Sequence, residues 1–362
     1  MKCTIAETKA YLGRAAHINP PNRFEKTSRG ETPSELSEYF QDPEPERNPI
    51  TTFYADRSKT VLASNDSPDI FYSYSVNPYR GCEHGCIYCY ARPSHEYLGF
   101  SSGLDFETKI MVKYDVAELL EREFRRRSWK PQVVALSGNT DCYQPIERKL
   151  RLTRRCLEVF LKARNPVVVT TKNALVLRDL DIFKELASFN CVSVGISITT
   201  LREGLARKLE PRTSTPQKRL DTIQHLALAG IPVGVNAAPM IPGLTDSELS
   251  SILKQASDCG ARFASYSILR LPYAVREIFQ DWLKREVPSK LSKILSQLKD
   301  IREGKLNCSE FGKRLSGKGE YASMIRQVFE TSIRKYHLNE ETRSLSTEHF
   351  RPPGSNQIDL FR

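Results

Sequence analysis

The chain has 362 residues, of which 40% are hydrophobic and 27% charged. That balance excludes a disordered, collagen-like or fibrous protein and leaves room for a large core. Its formal charge of +11 favours polyanionic partners such as nucleic acid or phosphorylated ligands.

The N-terminus has no apolar stretch of the signal-peptide kind. Residues 19–50 are rich in proline and charge and poor in aliphatics, so 1–67 read as a largely irregular arm. The run 72–77 (YSYSVN) predicts a strand. Residues 115–127 predict a helix with Val116, Leu119, Leu120 and Phe124 on one face. Strands follow at 132–138, 166–172, 191–199, 231–239 and 261–269. Helices fall between them at 151–164, 179–188, 216–230 and 246–259. Thr215–Pro216 opens the third of these, with Gly230 just past its end. Thr245 with Glu248 predicts a capping box for the fourth. Residues 272–301 and 319–336 read as helices, and 337–362 as a tail. The apolar stretch Leu226–Leu244 is broken by three glycines and three prolines, which argues against a membrane span and for a cytoplasmic protein.

A strand and a helix recurring every 25–40 residues is the βαβ rhythm of a parallel sheet. The expected fold class is α/β, a partial (β/α)6 barrel. Its expected parts are the arm (1–67), the barrel (68–275), a helical C-terminal appendage (276–336) and the tail (337–362). A doubly wound sheet is the alternative. In both folds function sits at the C-terminal ends of the strands.

Nine cysteines are present, and three fall within NPYRGCEHGCIYCYARPSH (77–95). Cys82, Cys86 and Cys89 follow the first predicted parallel strand. Three thiolates so close can wrap one face of a metal centre. A cubane cluster needs one sulfur ligand per iron, so three cysteines leave one iron open. Zinc held by the same thiols with His84 or His95 is the other reading. In that case the protein would be a zinc-stabilised nucleic-acid-binding module without catalysis.

The CxxxCxxC triad, with the aromatic Tyr88 before its last cysteine, resembles the radical S-adenosylmethionine (SAM) superfamily. With YARPSHEYLGF and SGLDFETKI beyond it, the segment is similar to a subfamily grouped with spore photoproduct lyase, a DNA repair enzyme. The superfamily likeness covers about residues 68–275. It implies a [4Fe–4S] cluster on Cys82, Cys86 and Cys89, with SAM chelating the fourth iron. One electron, from a donor such as a flavodoxin or ferredoxin, would cleave SAM to a radical that takes a substrate hydrogen atom.

By position, Ser137, Gly138, Asn139 and Thr140 stand where the superfamily meets the methionine amine, although the usual glycine–glycine–glutamate is absent. Lys172 matches a lysine that contacts the methionine carboxylate in the lyase-like enzymes. Strand alternation places Ser197 and Thr199 on one face, available to the ribose or carboxylate. Arg212 suits a bidentate carboxylate grip, and Asn236 suits the adenine edge. Cys142 is a candidate hydrogen donor, with Tyr143 as a radical relay. When the Thr140–Asp141 pair is aligned with the lyase's similar pair, however, the lyase's own donor cysteine falls at Gly138. The expected substrate is nucleic acid, in a DNA-lesion lyase reaction like that of spore photoproduct lyase; the alternative is radical modification of a small molecule, peptide or RNA. The basic stretches 122–130 and 147–155 read as solvated helix faces, and Lys109 and Lys113 as candidates for the active-site mouth.

Overall fold

The computed structural model describes residues 11, 13–25, 49–341 and 344–354. In chain order the strands are β1 (Thr52–Ala55), β2 (Leu62–Ser64), β3 (Tyr74–Val76), β4 (Tyr79–Arg80) and β5 (Lys109–Val112). They continue with β6 (Val134–Leu136), β7 (Val167–Thr171), β8 (Val192–Ser197), β9 (Val233–Met240) and β10 (Phe263–Ile268). The main sheet has the order β10-β9-β8-β7-β6-β3-β2. Every pair from β3 to β10 runs parallel, and β2 closes one edge antiparallel to β3. β10 and β2 do not pair, so the sheet is an open, incomplete barrel of the expected α/β class. A small sheet, β1-β5-β4, stands beside it.

The principal helices are α1 (Val116–Arg125), α2 (Leu152–Ala163), α3 (Leu180–Ser188), α4 (Glu203–Leu209), α5 (Pro216–Leu228) and α6 (Leu249–Asp258). Their apolar faces cover the parallel strands. Val116, Leu120 and Phe124 of α1 are buried at four-residue spacing, and the Phe124 ring meets Phe160 of α2 edge-on at 5.4 Å. Val167 and Val169 of β7 are buried on the sheet's covered side. Each such side chain contributes about 1.5–3 kcal/mol relative to exposure. Beyond β10 come α7 (Val275–Glu286), α8 (Leu291–Asp300) and α9 (Gly319–Lys335).

Local signals were met unevenly. The Thr215 hydroxyl accepts from Lys218 N at 3.3 Å, capping α5 as expected. The box at Thr245 and Glu248 does not form. The Thr245 hydroxyl accepts from Ile241 N at 2.9 Å, and Glu248 turns away to Thr200 Oγ1 and Leu201 N. α6 therefore starts three residues later, after a 3₁₀ turn.

The ends of the chain are more structured than expected where they are described. β1 pairs with β5, and β2 extends the main sheet. At the other end Arg351 N bonds Ala163 O at 2.9 Å, and Phe350 packs against Phe124 at 6.3 Å. These segments look irregular in sequence because their hydrogen bonds go to distant elements. Among the described residues no helix is long and apolar enough to cross a membrane.

Candidate active site

A cavity of about 1130 Å³ opens at the C-terminal ends of the parallel strands. Each strand end delivers polar groups to it: Asn77 after β3, Ser137–Asp141 after β6, Thr171 and Lys172 at β7, Ser197 at β8, and Asn236 on β9. Cys82, Cys86 and Cys89 border the same space.

Backbone bonds shape the cysteine loop. Cys82 N donates to Phe106 O at 2.9 Å, Ile87 N to Leu209 O at 3.0 Å, and Cys89 N to Cys86 O at 3.2 Å. Gly85 has φ +65°, and a Cβ there would lie 2.6 Å from Glu107 Oε2. Cys82 and Cys86 are buried, Cys89 is partly buried, and all three are free thiols. Burial raises the pKa of each; for Cys82 the negative Asp141 and the other two thiols add to the effect. Such thiols ionise readily only against a bound cation.

Neither histidine completes a four-ligand ion site with them. His95 Nε2 lies 2.9 Å from Lys109 O, its ring packed near Phe100 and Phe106. His84 Nε2 lies 3.2 Å from Asn173 Nδ2. Its Nδ1 is 3.3 Å from Asp141 Oδ2, close enough for an ion pair but poorly angled for a hydrogen bond. Among the described residues no three His, Cys, Asp or Glu side chains are grouped to hold one metal ion. With His84 and His95 engaged elsewhere, zinc on these thiols would lack the histidine ligand that reading needs.

Opposite the thiols lies a buried polar network. The Tyr88 hydroxyl donates to Glu210 and lies 3.0 Å from Thr199 Oγ1. Glu210 also pairs with Arg219 and accepts from Thr199 Oγ1 at 2.7 Å. Lys172 Nζ is 3.8 Å from Glu210 Oε1 and 3.4 Å from Ala238 O. Burial pushes the pKa of Lys172 down to about 8.

The loop after β6 is held from beneath. Asn77 Oδ1 accepts from Asn139 N and Thr140 N at 2.8 and 3.2 Å. Ser137 takes φ 84°, and its hydroxyl donates to Thr140 O at 2.7 Å. A Cβ at Gly138 would come within 2.6 Å of the Ser75 Cβ. Asp141 accepts from Thr171 Oγ1 and Lys172 N, each at 2.8 Å. Burial opposes its ionisation, but His84 and these donors prevail and lower its pKa.

Tyr88, Ser137, Gly138, Asn139, Thr140, Lys172, Ser197 and Asn236 thus border one cavity. Thr199, Arg212, Cys142 and Tyr143 do not. Thr199 lies beyond the end of β8, where strand alternation has stopped, and its hydroxyl serves Glu210. Arg212 pairs with Glu83 at 3.3 Å, while the buried Arg219 pairs with Glu210. Cys142 and Tyr143 are wholly buried in the core. Tyr143 donates its hydroxyl to Asp179 at 3.0 Å, so the expected hydrogen donor and relay lie behind the cavity wall.

Sequence reasoning missed Arg219, Asp141 and Asn77 as supports of the site. It also missed an outer rim of exposed Phe71, Tyr90, Tyr97 and Phe311. Arg270 lies there, 5.7 Å from the Tyr90 ring centroid, with its Nε lacking a hydrogen-bond partner. Lys113 borders the cavity, whereas Lys109 pairs with Asp105 at 3.0 Å. In the basic stretches Arg125, Arg126, Arg154 and Arg155 pair with acidic side chains.

The family model of the Radical SAM superfamily matches residues 76–256, half of the chain. The chain belongs to the radical SAM superfamily. An uncharacterized protein of Mycobacterium tuberculosis is 40% identical over 224 residues, 61% of this chain and 66% of that protein. One from Methanocaldococcus jannaschii is 31% identical over 175 residues, 48% of this chain and 63% of that protein. The chain thus spans just under two thirds of these relatives. A radical SAM Nalpha-GlyT isomerase of Pseudomonas phage M6 is 24% identical over 220 residues, 60% of this chain and 43% of the isomerase. Among solved structures, spore photoproduct lyase complexed with dinucleoside spore photoproduct superposes with a TM-score of 0.55. That match covers 78% of each chain at 16% identity and shows a shared fold. Members of the radical SAM superfamily use a [4Fe–4S] cluster and SAM.

Proposed function

We propose that Cys82, Cys86 and Cys89 hold the cluster and that SAM occupies the inner cavity between them and Lys172. The observation carrying this reading is two buried thiols, a third partly buried one and a partly buried lysine on the walls of one cavity at the strand ends. With both cofactors bound, the site would supply one-electron cleavage of the SAM sulfonium and a 5′-deoxyadenosyl radical that removes a substrate hydrogen atom.

The protein's own residues bind and orient. The Lys172 ammonium offers a charge for the methionine carboxylate. Carbonyls and side-chain oxygens of Ser137–Thr140 offer acceptors for the amine, since the Asn139 and Thr140 amides are already spent on Asn77. Asn236 stands at the far wall, its Oδ1 occupied by Ser265 Oγ at 2.8 Å and its amide turned over Gly195. Tyr88 and the Glu210 network close the floor. A flavodoxin or ferredoxin would deliver the electron.

For the substrate we infer a nucleic acid. The rim pairs exposed aromatic faces with arginine, the combination that stacks bases and meets phosphates. A DNA-lesion lyase reaction is the finer reading, supported by the shared fold and by the overall positive charge. A lyase of this type without a cavity-facing Cys142 would need another hydrogen donor.

The substrate reading is tested by fluorescence anisotropy with a single-stranded oligonucleotide from roughly 50 to 200 mM salt. Affinity is expected to fall steeply with salt and to weaken in Arg270→Ala but not in Arg155→Ala. Salt-independent affinity, or no effect of Arg270→Ala, would overturn it.

A further inference from the structure

Behind the cysteine loop, on the side away from the cavity, sits a second buried ion pair. Arg92 and Glu107 are both fully buried, 2.6 Å apart. Arg92 Nε donates to Cys86 O at 3.0 Å and its Nη2 to Gly85 O at 3.1 Å. Its Nη1 reaches Gly103 O at 2.8 Å. One guanidinium therefore fixes two carbonyls of the cysteine loop and the segment packed behind it.

Glu107 fixes that guanidinium and is itself held by the N-terminal arm. Ala16 N donates to Glu107 Oε1 at 3.0 Å and Ala15 N to Oε2 at 3.4 Å. Arg14 Nη1 donates to Glu107 O at 2.9 Å, and its Nη2 to Thr51 Oγ1 at 2.8 Å. Leu104 N donates to Ile18 O at 3.1 Å. The fit is close: a Cβ on Gly103 would lie 1.9 Å from Ile18 O. Arg285 of α7 anchors the arm through Ala15 O at 3.2 Å. The superfamily match begins only at residue 76, so the arm lies outside it.

We propose that Glu107 and the segment Arg14–Ile18 are positioning elements of the cluster site. They form the back of the cysteine loop, fixing Cys86 through Arg92 and shielding the cluster from solvent and oxygen. A buried guanidinium stays in one place only while its charge and donors are satisfied. Removing the arm's support would let Arg92 and the carbonyls of Gly85 and Cys86 shift together. The inference rests on the cluster reading above.

The test uses the full chain, reconstituted anaerobically with iron and sulfide, as wild type, Glu107→Gln, Arg14→Met and Ile252→Ala. Ile252 lies in the core of α6 and controls for simple loss of stability. Iron per chain, the electron paramagnetic resonance spectrum of the reduced cluster, and the rate of bleaching in air are measured. Glu107→Gln and Arg14→Met are expected to bleach several-fold faster than wild type with an altered spectrum, while Ile252→Ala melts earlier with neither change. If Glu107→Gln does not fold, Arg14→Met decides. Wild-type bleaching and spectra in the arm variants, or equal acceleration in Ile252→Ala, would overturn the proposal. A wild-type chain that takes up no iron would instead overturn the cluster reading itself.

Discussion

The Tyr88 hydroxyl is seated on the buried carboxylate of Glu210. Tyr88 lies between two of the three clustered cysteines, and Glu210 lies past the end of α4. The bond therefore ties the cysteine loop to the far side of the sheet, close to Lys172. Tyr88→Phe keeps the ring and removes this link. It should cost about 1–2 kcal/mol of stability and weaken SAM binding while leaving iron content unchanged. Chemical denaturation and equilibrium dialysis with SAM would check it; unchanged SAM affinity would show that Tyr88 acts only through its ring.

Glu210→Ala should be far more damaging than Tyr88→Phe. It strands Arg219, which is 1% exposed, without its carboxylate. Breaking a buried pair from one side costs about 3–5 kcal/mol. The expected result is a large fall in the denaturation midpoint, and a loss below 1 kcal/mol would contradict a structural role for the pair.

Lys172 links pH to both stability and binding, with opposite signs. Burial lowers its pKa from the ordinary 10.5 to about 8. Between those values the unfolded chain binds more protons, so stability rises with pH through that window. Below about 8 the charged ammonium is a standing cost to the fold. A SAM carboxylate needs the charged form, so affinity should fall as pH climbs above 8. The SAM amine titrates nearby, at about 7.7–8.0, so the comparison with Lys172→Met is what isolates the lysine. Titration calorimetry at about pH 7 and about pH 9 should show a larger drop in wild type than in the variant. Equal drops would remove Lys172 from SAM binding.

Cys142→Ala should leave SAM cleavage and product yield unchanged. The thiol is fully buried and does not border the cavity. The substitution should cost about 1 kcal/mol through the small void it leaves. A changed product distribution in the reconstituted variant would contradict this placement.

The parallel strands were legible because each is an apolar run ended by polar residues, and those ends are what line the cavity. Lys172 and Ser197 could be placed from the strand ends for that reason. The cysteine triad was legible as spacing within one loop. What the sequence hid depends on distant partners. Arg219 looks like an ordinary polar position on α5, yet its guanidinium runs inward to Ser197 O at 2.9 Å. Arg212 suits a carboxylate grip in sequence, but its partner Glu83 lies far earlier in the chain and could not be seen beside it. Cys142 lies close in sequence to cavity-lining residues, but the turn after Asp141 carries it into the core.

The most direct measurement is reductive SAM cleavage. The full chain is purified without oxygen, reconstituted with iron and sulfide, and given dithionite and SAM. A variant with Cys82, Cys86 and Cys89 all replaced by Ala runs beside it. Formation of 5′-deoxyadenosine by the wild type and not by the variant is the expected result. Bound zinc with no iron and no 5′-deoxyadenosine, or equal product from both chains, would contradict a cluster on these three cysteines.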